Sequence, residues 1–594
     1  MQPAQLSERQ FKLSPLVWQD AVWALLLALV AFVVYSPTLW HDFAFLDDHL
    51  YVSRIYQIHR SLNAGMVREA LTSLYPTNWH PLTLVSHALD CSLYGHSPMG
   101  HHATNLLLHS LATTVLFLLL RRLQLNRTRA LIVAVLFGLH PLQVETVAWI
   151  ASRKGLLSTL FAFLTIWAHA EFASTGRRRF YVLGLGAAAL ALSSKSMVVT
   201  LPLLLLVVDY WPLNRWQQPE GSGPGSRRDQ ARRAGVLVLE KLPYALLSVG
   251  CVAMTLKAHV HERVFHDYSW PARVANAFHS YVVYIQKAVW PSGLSVYYPH
   301  AGEDFSRWLF LLDVLLVVTL LYLAWKARNW RPAFTSGWIW YFVSLLPVLG
   351  LIPIDGNGWA DRYAYLPLVG FFWAIVGLIP DKWLENPVTG RIVSAVAFLV
   401  VMLLGVATLE QVRLWRNSET LFGHALVLNE SNGVAHVGYA SGMMERGDLP
   451  AAEQHVKLAL ELDPSLTWAE TLLGTILFQE GRYAEAERVL KQAVNRTPDS
   501  PDALGPLAWT LLMQKRTGEA VLPLKRLVEI CPRHPAALHS LARVLAALNR
   551  PGEALPYLER AAQLEPNRPN LQEDLARARS ATRRQQRERQ QPTP

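Results

Sequence analysis

The stretch FAFLDDHLY, residues 43–51, sets two carboxylates and an imidazole (Asp47, Asp48 and His49) directly after a long apolar run. Ionised groups are costly in hydrocarbon, so this trio belongs at or beyond a membrane surface. A carboxylate there can act as a general base on a hydroxyl. Asp is also a favoured helix N-cap, and a pair allows one residue of each kind. Cations that could hold an anion stand elsewhere: Arg153 and Lys154 in HPLQVETVAWIASRKGLLSTLF, Lys195 in SSKSM, and Arg362 in WADRYAYLPL. Arg offers a bidentate fork and Lys a point charge, and both suit phosphate. Anchoring at lipid headgroups is the plainer role for such cations. Glu145 and Asp361, beside them in sequence, and His49 and His80 are candidates to orient a substrate.

Six histidines crowd residues 77–109: His80, His87, His96, His101, His102 and His109. Imidazole is a common metal ligand, but no HExxH or similar spacing occurs, and His80 and His87 fall on one face of an amphipathic helix. A divalent metal is therefore not favoured and no cofactor is assigned. Three cysteines, Cys91, Cys251 and Cys531, are too few and too scattered for a disulfide framework or a zinc site.

The elements that must position these residues are helices. The 594 residues are 52% hydrophobic and only 17% charged, against roughly 25% charged in soluble domains. Nearly all long apolar runs lie before residue 413. A spanning helix needs about 20 apolar residues, and the hydropathy predicts about eleven spans, beginning near residues 20, 104, 130, 156, 180, 197, 236, 307, 333, 363 and 391. The first run lacks a small-residue cleavage site and reads as an uncleaved helix.

The net charge of +11 resides largely in RRLQLNRTR, GRRRF, RRDQARR and KARNWR, short loops between spans. Placing these on the cytoplasmic side leaves the count closed only if Asn276–Trp290 lies in the interface as an amphipathic helix. This explains the positive charge without nucleic acid. The N-terminus is then cytoplasmic and the C-terminal part faces outward. The loop 37–103, the turns around Lys154 and Lys195, and the Asp361–Arg362 pair all fall on the outer face, so many loops converge on one site there. Arg153 and Lys154 face outward against the positive-inside trend, which favours phosphate over anchoring. Asp313, inside FLLDVLLVV, and Asp209 are also unusual in apolar surroundings, and a hydrogen bond between helices is the default role for Asp313.

Beyond residue 412 the pattern changes. Pro464, Pro498, Pro532 and Pro566 recur every 34 residues, as do Ala452, Ala486, Ala520 and Ala554. That period, with small residues where helices meet, marks tetratricopeptide repeats, which run from about 433 to 568, with NLQEDLARARS as a polar capping helix. The expected organisation is a membrane domain over 1–412, repeats with their cap over 413–580, and a disordered basic tail over 581–594.

The outer Asp pair after the first span, NWHPLT with HALDCSLYG, HPLQVETVAWIASRKGLLSTLF and DRYAYLPL, followed by the repeats, together resemble the transmembrane and tetratricopeptide repeat-containing protein O-mannosyltransferases and their bacterial relatives. The resemblance covers nearly the whole chain, with four motifs in the same order. It implies an all-α C-type glycosyltransferase fold followed by an α-solenoid. It also implies transfer of mannose or another hexose from a polyprenyl phosphate to an acceptor hydroxyl, such as Ser or Thr of an exported protein. Asp48, or Asp47, would be the base; Arg153, Lys154, Arg362 and Lys195 would hold the donor phosphate; the repeat groove would bind the acceptor or a partner. The location implied is an integral membrane, the inner membrane for a bacterial member, with periplasmic or luminal repeats. Transfer to envelope glycan or lipid is an alternative, as is a non-catalytic membrane scaffold. A lipid-sugar flippase would need polar residues reaching both faces and inverted repeats, and neither is seen.

Overall fold

In the computed structural model, residues 15–53, 62–72, 79–216, 227–262, 268–352, 356–568 and 570–590 are described. Most of them are helical; the described strands are the short antiparallel pair Tyr298–Pro299 and Asn357–Trp359. The chain divides into two compact units. One comprises the residues up to Ala44, Val67–Asp90 and Ser97–Arg416; the other comprises Phe45–Met66, Cys91–His96 and everything from Asn417 onward. The Asp47–Asp48 stretch therefore groups with the repeats, not with the apolar helices.

Among the described residues of the first unit, six helices are long and apolar enough to cross a membrane: Trp18–Trp40, Pro98–Arg122, Ile150–Thr175, Ala231–His259, Arg307–Ala327 and Pro387–Leu414. The chain is an integral membrane protein. A seventh span exists if Arg127–Leu139 and Pro141–Ala148, bent by 54° at His140, count as one. Pro141 lacks the N–H that would continue the helix, and His140 Nδ1 accepts from Leu142 N–H at 3.2 Å to cap the new start. The other four of the eleven expected spans are shorter helices of 15, 10, 14 and 10 residues: Arg178–Leu192, Leu201–Tyr210, Pro332–Leu345 and Pro367–Val376.

The last two of these pack backbone against backbone. A Cβ on Gly337 would lie 2.5 Å from Gly370 O and Ala374 N, so only glycine permits this approach. Elsewhere charge ties the helix ends together. Buried Asp20, in the first turn of its helix, accepts from Arg121 at 3.0 Å and Arg127 at 2.9 Å. Asp313 is held by His279 Nδ1 at 3.0 Å, an interhelical contact. The amphipathic segment expected at Asn276–Trp290 is the helix Trp270–Val289, 20 residues long. It buries one face and is not among the six apolar helices.

The second unit stacks four helix pairs: Gly433–Glu445 with Leu449–Leu462, Thr467–Gln479 with Tyr483–Arg496, Pro501–Met513 with Val521–Ile530, and Pro535–Ala547 with Pro551–Leu564. Ala452, Ala486, Ala520 and Ala554 are fully buried where the helices cross. The turn within each pair needs a left-handed residue; Gly447, Gly481, Lys515 and Asn549 supply it at φ +87°, +78°, +63° and +57°. Arg482 reaches Glu453 at 2.7 Å and Arg516 reaches Glu487 at 2.6 Å, one ion pair per step along the stack. The basic tail differs from expectation: residues 581–590 continue the capping helix Leu571–Gln590. Gln, Arg and Glu are good helix formers, which accounts for the continuation. Residues 591–594 lie outside the described residues.

Candidate functional site

The bend at Pro141 delivers Glu145 and Trp149 to the start of the helix Arg153–Thr175, whose second residue is Lys154. The turn Asp361–Tyr363 comes against them directly after the strand Asn357–Trp359. Glu145, 3% exposed, accepts from Arg362 Nη1 at 2.6 Å and from the Arg362 backbone N–H at 2.7 Å. The Arg362 guanidinium also lies over two rings, 5.3 Å from the Trp149 centroid and 4.9 Å from that of Tyr363. Lys154 Nζ lies 5.4 Å over Trp149, and Lys195 Nζ 5.3 Å over Tyr363. Three cations thus share two aromatic faces, in the order Lys154, Trp149, Arg362, Tyr363, Lys195. Such contacts hold a cation in place without neutralising it.

The remaining partners come from further along the chain. Leu82 N–H donates to Ser193 O at 3.1 Å and Thr83 Oγ1 to Ser194 O at 3.0 Å, which ties the His80 turn to the Lys195 turn. Asp361 is buried and accepts from Tyr298 Oη at 3.0 Å. Tyr298 Oη in turn receives Lys287 Nζ at 3.0 Å.

Burial and like charge shift these groups. Burial pushes the Lys195 ammonium down to about 7, aided by Lys154 and Arg362 and opposed by Glu145. Burial lifts Asp361 to about 7, with Glu145 adding to the rise and Lys287, Tyr298 and Arg362 holding it down. His80 lies well below its ordinary value through burial and the charges of Lys154, Lys195 and His259, so it is neutral at pH 7. Lys154, Arg362 and Lys195 bring positive charge together here, and Glu145 is engaged by Arg362. Such a site suits an anion.

Six sequence candidates therefore come together: His80, Glu145, Lys154, Lys195, Asp361 and Arg362. Arg153 does not join them. Fully buried, it pairs with Asp90 at 2.6 Å and donates to Asn105 Oδ1 at 2.8 Å, the His101 carbonyl at 2.8 Å and Ser86 Oγ at 3.2 Å. Its guanidinium braces three segments. Asp47, Asp48 and His49 lie in the second unit: Asp48 is buried, Asp47 half-buried and His49 exposed. The Asp47 carbonyl accepts from Leu50 and Tyr51 N–H at 2.9 and 3.0 Å, so its backbone starts the helical turn His49–Ser53.

Trp149, Tyr363, Lys287, Tyr298 and His259 had no assigned role in the sequence. For Lys287 a signal existed, because Asn276, Ser280, Tyr284 and Lys287 repeat at helical spacing and form a polar stripe on the buried face. Among the described residues one grouping has metal-ligand spacing: His169, Asp209 and Glu240. Lys241 and Arg215 already fill it, Lys241 pairing with both carboxylates and Arg215 reaching Asp209 at 2.9 Å and Glu240 at 2.7 Å.

The chain is 25% identical over 458 residues to human protein O-mannosyl-transferase TMTC1, covering 67% of this chain and 49% of the relative. It is 23% identical over 414 residues to the Caenorhabditis elegans protein O-mannosyl-transferase F38B6.6, covering 65% of this chain and 54% of that one. The chain is similar to these transferases. It spans about half the length of each. The tetratricopeptide repeat family matches residues 535–578, and the family described as cilia and flagella-associated protein 70 middle TPR-like domain matches 403–519. Among solved structures, YrrB, titled a TPR protein with an unusual peptide-binding site, aligns at 18% identity with a TM-score of 0.24, covering 33% of this chain and 91% of that one.

Proposed function

We propose that this chain is a membrane hexosyltransferase that moves mannose, as the names of its relatives indicate, from a polyprenyl phosphate to an acceptor hydroxyl. Ser or Thr of an exported protein is the acceptor that fits best, bound with the help of the repeats. The observation that carries the reading is the Lys154–Arg362–Lys195 array on Trp149 and Tyr363, in a unit built of membrane helices. These cations would hold the donor phosphate and stabilise the charge that grows on it as the glycosidic bond breaks. One carboxylate of the Asp47–Asp48 pair would take the acceptor proton, with inversion at the sugar. The N-terminus is assigned to the cytoplasm and the repeats to the periplasm or lumen, the arrangement that keeps the basic loops inside.

The purified protein, supplied with polyprenyl-phosphate-mannose and a membrane-protein acceptor extract, should transfer the sugar. Lys154→Ala should raise the donor Kd by roughly tenfold or more, the size of one lost charge-assisted contact, and Lys154→Arg should restore most of the affinity. Equal affinity in all three proteins would return Lys154 to headgroup anchoring.

Donor affinity should also fall as pH rises through 7. Lys195, with its value near 7, is an ammonium below that pH and an amine above it. Asp361, also near 7, gains a negative charge over the same interval. Both changes weaken an anion site, so binding takes up protons. Lys195→Arg keeps its charge at any pH in this range and should flatten the profile, leaving only the Asp361 part. A wild-type Kd that is level from about pH 6 to 8 would show that neither group faces the anion.

A further inference from the structure

Within the second unit, the stretch that carries Asp47 and Asp48 lies along the repeats with contacts to successive ones. The Phe45 backbone N–H donates to Ser418 Oγ at 3.0 Å, at the first residue of the helix Ser418–Leu428. The Phe45 ring packs on Trp468 with centroids 6.0 Å apart and joins the side chains packed against the repeat core. Four residues on, His49 Nε2 stands 4.0 Å from Asp502 Oδ2. Gly65 lies so close to the Arg533 guanidinium that a Cβ there would collide with it.

Trp468 and Asp502 are the second residues of the helices Thr467–Gln479 and Pro501–Met513, 34 positions apart and so equivalent in their repeats. Arg533 lies two residues before the next first helix, Pro535–Ala547. Contacts thus advance along the solenoid in the same order as the residues advance along the chain. A solenoid reads an extended peptide in this way, with one or two side chains per repeat.

We infer that the edge formed by the N-terminal ends of the first repeat helices is a peptide-recognition surface whose ligand is this chain's own Phe45–Ser53 stretch. Trp468, Ser418 and Asp502 are then positioning residues for the carboxylate pair. Asp47 and Asp48 sit between the two anchors, Phe45 and His49, with the Asp47 carbonyl fixed by Leu50 and Tyr51. Phe45 on Trp468 is the main anchor. The His49–Asp502 pair is exposed on both sides, and such pairs hold little. The inference deepens the transferase reading and rests on it for the function of the pair: the repeats serve the reaction by holding the base-bearing segment, and an acceptor must use another part of the solenoid.

The test is hydrogen exchange on the full-length protein in lipid nanodiscs, followed in peptides covering residues 45–53. Trp468→Ala should raise exchange there by roughly tenfold, as expected for loss of a central aromatic anchor. Trp468→Phe should keep most of the protection. Leu522→Ala, at an equally apolar but outlying position, 77% exposed, should change nothing. The helix Thr467–Gln479 should itself stay protected, which separates undocking from unfolding. In the transfer assay Trp468→Ala should lower kcat with little change in donor KM. Unchanged exchange at 45–53 would overturn the anchoring. Raised exchange with unchanged kcat would overturn the positioning role. If the wild type transfers no sugar the transferase reading fails, and the exchange data still decide the docking.

Discussion

Asp48→Asn is expected to cut sugar transfer by roughly 10²–10⁴-fold, the usual contribution of a general base, while the donor Kd stays within about twofold. The amide keeps the size of the side chain and removes its charge and basicity. The reasoning runs from the leaving group. A phosphate leaving group already carries stabilised charge, and on the proposed reading the cations on Trp149 and Tyr363 would hold it, so departure would need little help from an acid. Glycoside hydrolases, whose leaving groups are poor, need a carboxylate pair; on the proposed mechanism a single base would suffice. Asp47→Asn should cost less. The Asp47 backbone carbonyl already serves the helical turn, and its side-chain charge adds to the burial that pushes the Tyr51 phenol well up. The measurement is initial rate at saturating donor for wild type and both variants. Equal rates in all three would remove the base from this stretch.

What the sequence made legible follows from where its signals live. Tetratricopeptide repeats announce themselves because every repeat needs small residues at the same crossing points, and Ala452, Ala486, Ala520 and Ala554 are buried there. Lys154, Lys195 and Arg362 were legible as a set because the positive-inside reading of the loops puts each of them on the side where cations are expected to be scarce. Span counting was less successful. A hydropathy window counts apolar residues but does not see where proline sets a helix start, so the stretch beginning near 363 is the 10-residue helix Pro367–Val376, opened by Pro367. Trp149 and Tyr363 were hidden by their ordinariness, since aromatic residues near span ends usually mark the interface. Only their position under the cations gives them a role.

Arg153 shows why adjacency misleads, and it carries the second large prediction. Consecutive residues on a helix point about 100° apart, so Lys154 can face Trp149 while Arg153 turns into the protein. There it meets Asp90, which also accepts from Thr104 Oγ1 at 2.9 Å. Removing one member of a buried ion pair strands the other, at a cost of about 3–5 kcal/mol. Arg153→Ala should therefore lower the thermal unfolding temperature of the detergent-solubilised protein sharply. Arg153→Lys should recover only part, because one ammonium cannot reach Asn105, the His101 carbonyl and Ser86 in the geometry of the fork. Arg153→Ala combined with Asp90→Ala should be less destabilised than the sum of the single variants, since the stranded carboxylate is gone. The fraction of Arg153→Ala that remains folded at low temperature should bind donor close to normally, whereas Lys154→Ala should show the reverse pattern of normal melting and weak binding. If Arg153→Ala melted like the wild type and lost donor, the guanidinium would be a donor ligand and the brace between Asp90, Asn105 and Ser86 would be incidental.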